Sequence, residues 1–298
     1  TDTLANLADS GSITTNFSRA RGDDGDVNVV VSDGTGTLSA ADLGAVTAKT
    51  TGTVTLDNAQ TISGTGAEVT AALITNAATL SAASNATVTG NVTAEVAGNI
   101  ANVTDITAAF SGTITDTLAN LADSGSITTN FSRARGDDGD VNVVVSDGTG
   151  TLSAADLGAV TAKTTGTVTL DNAQTISGSG AELIAALKTN AATLSAASTA
   201  TVTSAVTAAV AAEIAAIASI TLDSSGSGTI TDTLANLLNG GQTAISDDYS
   251  NARAEDTDVN VIISDGTGTI DAAKLSLITA KTGGTVTLQN AQTITGTS

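Results

Sequence analysis

VNVVVSDGTGTLSAADLGAVTAKTTGTVTL, residues Val27–Leu56, is the stretch whose reading decides the fold. VNVVV is a β-branched run, the composition that suits a strand. SDGTGT then supplies an Asp-Gly turn, where glycine tolerates the backbone angles a tight reversal needs. Ser39 is placed to cap a helix, with Asp42 in its first turn and Leu43 and Val46 three apart on one face. TVTL returns to strand composition. A strand, a turn, a short helix and a return within so few residues predict parallel pairing of successive strands through right-handed crossovers.

The same pattern recurs throughout the chain. The segment Thr1–Gly64 returns almost unchanged at Thr115–Gly178, an offset of 114 residues, and a third, diverged copy starts at Thr231. There TDTLANLLNGG replaces TDTLANLADSG, and Asp271 replaces Ser39 as the cap. β-Branched runs begin at residues 27, 53, 87, 113, 141, 167, 201, 229, 259 and 285, a mean step of (285 − 27)/9, or about 29. Helical periodicity follows them, at Val69, Ala72, Leu73, Ala77 and Leu80, at Val92, Val96, Ile100 and Val103, and at Leu4 and Leu7. One such unit cannot bury its own apolar face, so neighbours must stack. The expected fold is therefore α/β: a parallel strand-helix solenoid with about 29 residues per coil and four coils per 114-residue super-repeat. Its divisions are 1–114, 115–230 and a partial third super-repeat at 231–298. Ten strands spaced by about 4.8 Å would make a rod about 45 Å long. A string of β-sandwiches is the rival reading; it expects denser strands and turn prolines.

Composition narrows function. The 298 residues include no Cys, His, Met, Trp or Pro, one Tyr (Tyr249) and three Phe (Phe17, Phe110, Phe131). That removes an imidazole base, a thiolate nucleophile and the usual zinc ligands, and leaves little for stacking on sugars or bases. The chain does not read as an enzyme. A net charge of −20 opposes binding to nucleic acid or anionic membranes and favours solubility and cations. No apolar stretch is long enough for membrane insertion. The pattern starts and stops mid-unit, the expectation for a piece of a longer array or for end-to-end stacking.

Several motifs read two ways. RGDDGD at Arg21–Asp26 recurs at Arg135–Asp140 and returns as RAEDTD at Arg253–Asp258. Its D-x-D pairs, Asp24/Asp26, Asp138/Asp140 and Asp256/Asp258, read either as Ca²⁺ ligands in a flexible loop or as a solvated turn with Arg21 neutralising one Asp. Asp33, Asp147 and Asp265 read as turn residues or as extra ligands. Arg21-Gly22-Asp23 and Arg135-Gly136-Asp137 spell RGD, which the third copy lacks. The T-x-T runs (Thr53/Thr55, Thr87/Thr89, Thr113/Thr115 and their equivalents) would line one face of a sheet, as an ice-binding ladder or as ordinary strand residues. Asn16, Asn85, Asn91, Asn102 and Asn130 begin glycosylation sequons.

GTVTLDNAQTISG, SGTITDTLANL and DGTGTLSAADLGAVTAKT resemble the repeats of very large bacterial cell-surface proteins, particularly those of marine cyanobacteria, over nearly the whole chain. The resemblance implies an exported surface or matrix protein, often Ca²⁺-dependent. The expectation is an extracellular structural protein that self-associates into a filament, sheath or surface layer. The alternative is an adhesin stalk or a ligand- or ice-binding module.

Overall fold

The computed structural model describes residues 1–223 and 228–296. They form an α/β protein in which strands alternate with helices and pair into multiple parallel sheets. Two compact units are present, one of Thr1–Asp123, Ile127–Val145 and Lys163–Thr167, the other of Ser124–Ser126, Ser146–Ala162 and Val168–Ser298.

The strands of the first unit's parallel sheets are β1 (Val29–Val31), β2 (Gly36–Ser39), β3 (Val54–Leu56), β4 (Gln60–Thr65), β5 (Thr79–Leu80), β6 (Ser84–Thr89), β7 (Ile106–Phe110), β8 (Thr113–Asp116) and β9 (Asn142–Val145); Ala8–Asp9 and Ser12–Ile13 form a separate short antiparallel pair. Its helices are α1 (Thr15–Asp23), α2 (Ala40–Thr47), α3 (Gly66–Thr70), α4 (Ala94–Ala101) and α5 (Thr129–Asp137). β1, β3 and β5 make one parallel sheet, with Val29 opposite Val54 and Thr55 opposite Thr79. β2, β4, β6 and β7 make a second, with Gly36 opposite Gln60, Thr61 opposite Asn85 and Ser84 opposite Ile106. β8 pairs with β9.

The second unit repeats the scheme with β10 (Thr151–Ser153), β11 (Val168–Leu170), β12 (Thr175–Gly178), β13 (Thr193–Leu194), β14 (Ser198–Val202), β15 (Ile220–Asp223), β16 (Thr229–Asp232), β17 (Asn260–Ile263), β18 (Gly268–Asp271), β19 (Val286–Leu288) and β20 (Gln292–Thr295). Its helices are α6 (Ala154–Thr161), α7 (Gly180–Ile184), α8 (Ala208–Ala215), α9 (Asp247–Glu255) and α10 (Ala272–Thr279). β10, β12, β14 and β15 form one in-register parallel sheet. β11 pairs with β13, β16 with β17, β17 in turn with β19, and β18 with β20.

Period-two alternation sets the core. Val54 and Leu56 are buried while Thr55 between them is half-buried, and β12 likewise buries Ile176 between Thr175 and Ser177. Each fully buried Val, Leu or Ile adds about 1.5–3 kcal/mol over an exposed one. The helices start where the caps say: the Ser39 Oγ accepts from Asp42 N at 3.2 Å, and the Asp271 Oδ1 accepts from Ala273 N at 2.8 Å. Small residues let elements approach closely. At the crossing of α4 and α5, a Cβ on Gly98 would lie 2.6 Å from the Asn130 Cα.

All ten β-branched runs overlap strands, but their partners differ from the expectation. β6, which carries TVTG, pairs with β4 and β7, whereas the TVTL of β3 pairs with β1 and β5. The T-x-T runs therefore do not stack on one another. In the parallel sheets, paired residues are separated by 22 (Ser84 and Ile106) to 31 (Thr229 and Asn260) positions. The helix expected to run from Val69 to Leu80 stops early: α3 passes into a π turn at Ala71–Thr75, Ala77 has a φ of +31°, and Leu80 pairs with Leu56. Strand pairing of Leu80 outweighs its helical spacing here.

Candidate functional site

The acidic stretches are not loops throughout. Arg21–Asp23 and Arg135–Asp137 form the last turn of α1 and α5, so the RGD tripeptides are helical. Asp24, Asp138 and Asp256 are the C-caps of α1, α5 and α9. Nor does Arg21 serve as counter-ion as expected: its Nε donates to the Lys49 carbonyl, and Arg135 and Arg253 repeat this with Lys163 and Lys281. A guanidinium spent on a carbonyl leaves the neighbouring carboxylates to each other.

The structure brings each D-x-D pair together. Asp26 N donates to Asp24 Oδ1 at 3.4 Å, and Asp258 N to Asp256 Oδ1 at 3.3 Å. The Asp24 carboxyl is held above the usual range chiefly by its side-chain hydrogen bond with Asp26, and Asp258 likewise by Asp256. Asp138 is raised first by burial and then by Asp140, with the Phe110 N–H pulling the other way. Among the described residues no three His, Cys, Asp or Glu gather as a metal centre would.

In α5 two of these carboxylates have a structural task. Asp137 Oδ2 accepts from Ala108 N at 2.9 Å and Asp138 Oδ2 from Phe110 N at 2.7 Å. They take the outward N–H groups of β7, the last strand of its sheet, in place of a further strand. An unmet buried N–H costs about 1–3 kcal/mol, which explains two adjacent acids at a helix end facing a strand edge.

The turn aspartates are also structural. Asp33 Oδ2 accepts from Leu4 N and Asp265 Oδ2 from Leu234 N, both at 2.6 Å, starting the four-residue helices Leu4–Leu7 and Leu234–Leu237. The turn's carbonyls are read by a second motif, DNAQ or QNAQ, that sequence reasoning had not singled out. Asn58 Nδ2 and Gln60 Nε2 donate to the Asp33 carbonyl at 2.8 and 3.1 Å, and Gln60 Nε2 also to that of Gly34 at 3.0 Å. Asn172 and Gln174 do the same to Asp147 and Gly148, and Asn290 and Gln292 to Asp265 and Gly266. The signal was present: the two motifs keep the same separation in all three copies.

The structure moves the expected threonine ladder to another sheet. In the second unit Thr151, Thr175, Thr199 and Thr221 lie side by side on the outward face of β10, β12, β14 and β15. The sequons Asn16, Asn85, Asn91 and Asn102 are exposed and Asn130 is half-buried. The first unit also holds a polar cavity of about 340 Å³ beside Glu95, Asp116 and Asn120. Both Asp116 oxygens are engaged there, Oδ2 by Ala94 N at 2.9 Å and Oδ1 by Asn120 Nδ2 at 2.7 Å. No described helix is long and apolar enough to cross a membrane.

No family model and no curated protein matches the chain. Among solved structures, one similar chain is a plant peptide hormone receptor, RGFR1, in complex with RGF2, at 13% identity and a TM-score of 0.22. The match covers 89% of this chain but only 40% of the receptor. A TM-score of that size implies neither a shared fold nor a shared function.

Proposed function

We propose that the chain is a structural, extracellular repeat protein in which strand-helix coils of about 29 residues stack as a parallel solenoid, four to each 114-residue super-repeat. Its work is mechanical: length, negative charge and self-association into a filament, sheath or surface layer. The observation that supports the reading is the three-fold recurrence of the clasp between the SDGTG turn and the following Asn-x-Gln, a contact that joins residues 25–27 apart and would fix one coil upon the next. The motifs' resemblance to bacterial cell-surface repeats supports the same reading.

On this view the D-x-D pairs, Asp24/Asp26, Asp138/Asp140 and Asp256/Asp258, are the candidate Ca²⁺ positions. Each brings two carboxylates, and Ca²⁺ takes six to eight oxygens, so carbonyls and water would complete the shell. Electron microscopy of the purified chain, with sedimentation over a concentration series, tests the main proposal. Ordered rods or sheets and concentration-dependent mass are expected. Dispersed monomers at every concentration, in the presence and absence of Ca²⁺, would refute it.

A further inference from the structure

We propose that Asn239, in a turn near the start of the third copy, is a site of spontaneous deamidation, at which the folded chain exchanges an amide for a carboxylate without an enzyme. The reaction asks only for the folded turn, so it does not depend on self-association. Asn239 is followed by Gly240, whereas every other Asn of the chain precedes a residue with a Cβ. A side chain on the following residue crowds the approach of its backbone nitrogen to the Asn side chain, and glycine removes that obstacle.

The turn supplies the remaining parts. It closes the bridge between Leu238 and Ile245. Thr243 N donates to Asn239 Oδ1 at 2.9 Å and Ala244 N at 3.4 Å. Backbone donors on an amide oxygen draw electrons from Cγ and stabilise the negative charge that collects on the oxygen when Cγ is attacked. Among the described residues Gly240 N has no hydrogen-bond partner, so the nucleophile is not committed elsewhere. Asn239 is half-buried, while Gly240, Gly241 and Thr243 are exposed, which admits water and hydroxide.

The atoms balance with solvent alone. Hydroxide takes the Gly240 amide proton, and the nitrogen attacks Asn239 Cγ to form a new C–N bond. The Cγ–Nδ2 bond then breaks, Nδ2 takes a proton from water and leaves as ammonia, and a cyclic imide remains. Water adds to one of the two imide carbonyls and opens the ring. Addition at Cγ gives aspartate; addition at the main-chain carbonyl gives isoaspartate, with the backbone routed through the side chain.

The other copies show that the product fits. Asn239 stands where the first two copies have Asp9 and Asp123. Asp9 follows the Ala8–Ile13 pair, which corresponds to the bridge between Leu238 and Ile245. A carboxylate here is therefore compatible with the fold, and its oxygen keeps the bonds from Thr243 and Ala244. The charge beside the turn is inverted as well. In the first two copies Asp42 and Asp156 accept from Gly11 N and Gly125 N at 2.6 Å. Lys274 takes their place in the third, and its Nζ donates to Gln242 Oε1. A cation at the turn favours the anionic nitrogen, the anionic intermediate and the carboxylate product, all of which an aspartate would oppose.

The experiment holds the full folded chain in mildly alkaline buffer for weeks. Isoelectric focusing reads the charge, and peptide mass spectrometry locates the change. One added negative charge is expected, confined to Asn239 and divided between aspartate and isoaspartate, while Asn58 and Asn172, each followed by Ala, keep their amides. Gly240→Ala adds a Cβ that meets nothing within 4 Å, so it is expected to fold as wild type and to lose the charge shift. Lys274→Asp restores the residue of the first two copies and is expected to slow the shift several-fold. Asn239→Asp is expected to focus at once where the aged wild type focuses. Retention of the Asn239 amide in the folded chain, loss spread equally over Asn58 and Asn172, or an unchanged rate in either Gly240→Ala or Lys274→Asp overturns the proposal.

Discussion

Gly166→Ala is expected to destabilise the protein severely, and Gly148→Ala hardly at all. An added Cβ at Gly166 would meet the Asp140 carbonyl oxygen at 2.3 Å and that of Val141 at 2.5 Å, both backbone atoms that no rotamer change can move. Ordinary contact begins at 3.4 Å, so the two segments would have to part by about 3.4 − 2.3 = 1.1 Å. That displacement is enough to break the bonds spanning the same gap: Thr164 Oγ1 to the Val141 carbonyl at 2.6 Å, and Thr165 N to the Gly139 carbonyl at 3.0 Å. Overpacking costs about 1–3 kcal/mol, and each lost hydrogen bond about 0.5–1.5. The expected total is about 2–6 kcal/mol. At Gly148 a Cβ meets nothing within 4 Å, so that substitution tests the effect of alanine without the collision. Urea unfolding followed by far-ultraviolet circular dichroism is the assay, since the chain has no Trp and one Tyr. The midpoint should drop with the slope unchanged. If the Gly166→Ala midpoint coincides with that of Gly148→Ala, the close approach of this glycine to the Asp140–Val141 backbone is wrong.

Ser39→Ala, which deletes the acceptor for Asp42 N, should lower stability by about 1 kcal/mol, read as a shift in the same urea midpoint. Asp138→Asn should change the pH dependence. The folded pKa of Asp138 lies above its ordinary 3.8, so its contribution is fully present below 3.8 and is lost as pH rises through the folded value. The variant should therefore gain on wild type between pH 3.5 and pH 7; a difference between the two proteins that does not vary with pH, or that runs the other way, would refute the assignment. Glu182 has the opposite sign: the Ser179 backbone and side chain hold its carboxyl below 4.5, so its capping contribution should fade as pH drops through that lowered value, and Glu182→Gln should suppress this part of the acid loss. On the calcium reading, a chelator lowers the melting temperature and Ca²⁺ restores it; a melting temperature that ignores both removes Ca²⁺ from the account.

The sequence was informative wherever a side chain had only local reasons to be where it is. The β-branched runs became strands, and Ser39 and Asp271 became caps, because strand propensity and capping act within a few residues. It was less informative about pairing. QTISGT at Gln60–Thr65 is diluted by Ser and Gly, yet it lies at the centre of a four-stranded sheet, because register with Thr37 and Asn85 is a long-range matter. The partners of the aspartates were hidden for the same reason. Asp33 serves an amide 29 residues away, and Asp137 an amide at the same separation, partners that no local pattern reveals. The candidate hydroxyl face was half visible: the threonines were noticed, but which of them share a sheet followed only from the pairing.

The carboxylates that end the β2–β4–β6–β7 sheet bear on a hazard common to proteins made of duplicated strands. An open strand edge is a template, and a chain carrying near-identical copies of one sequence offers that template many matching recruits, the usual route to amyloid. Asp137 and Asp138 occupy the N–H groups on which an incoming strand would have to begin, and do so with negative charge, so the sheet is closed to addition along that edge. A chain built from near-identical copies thereby carries, within the repeat, residues that keep one such edge from recruiting another copy.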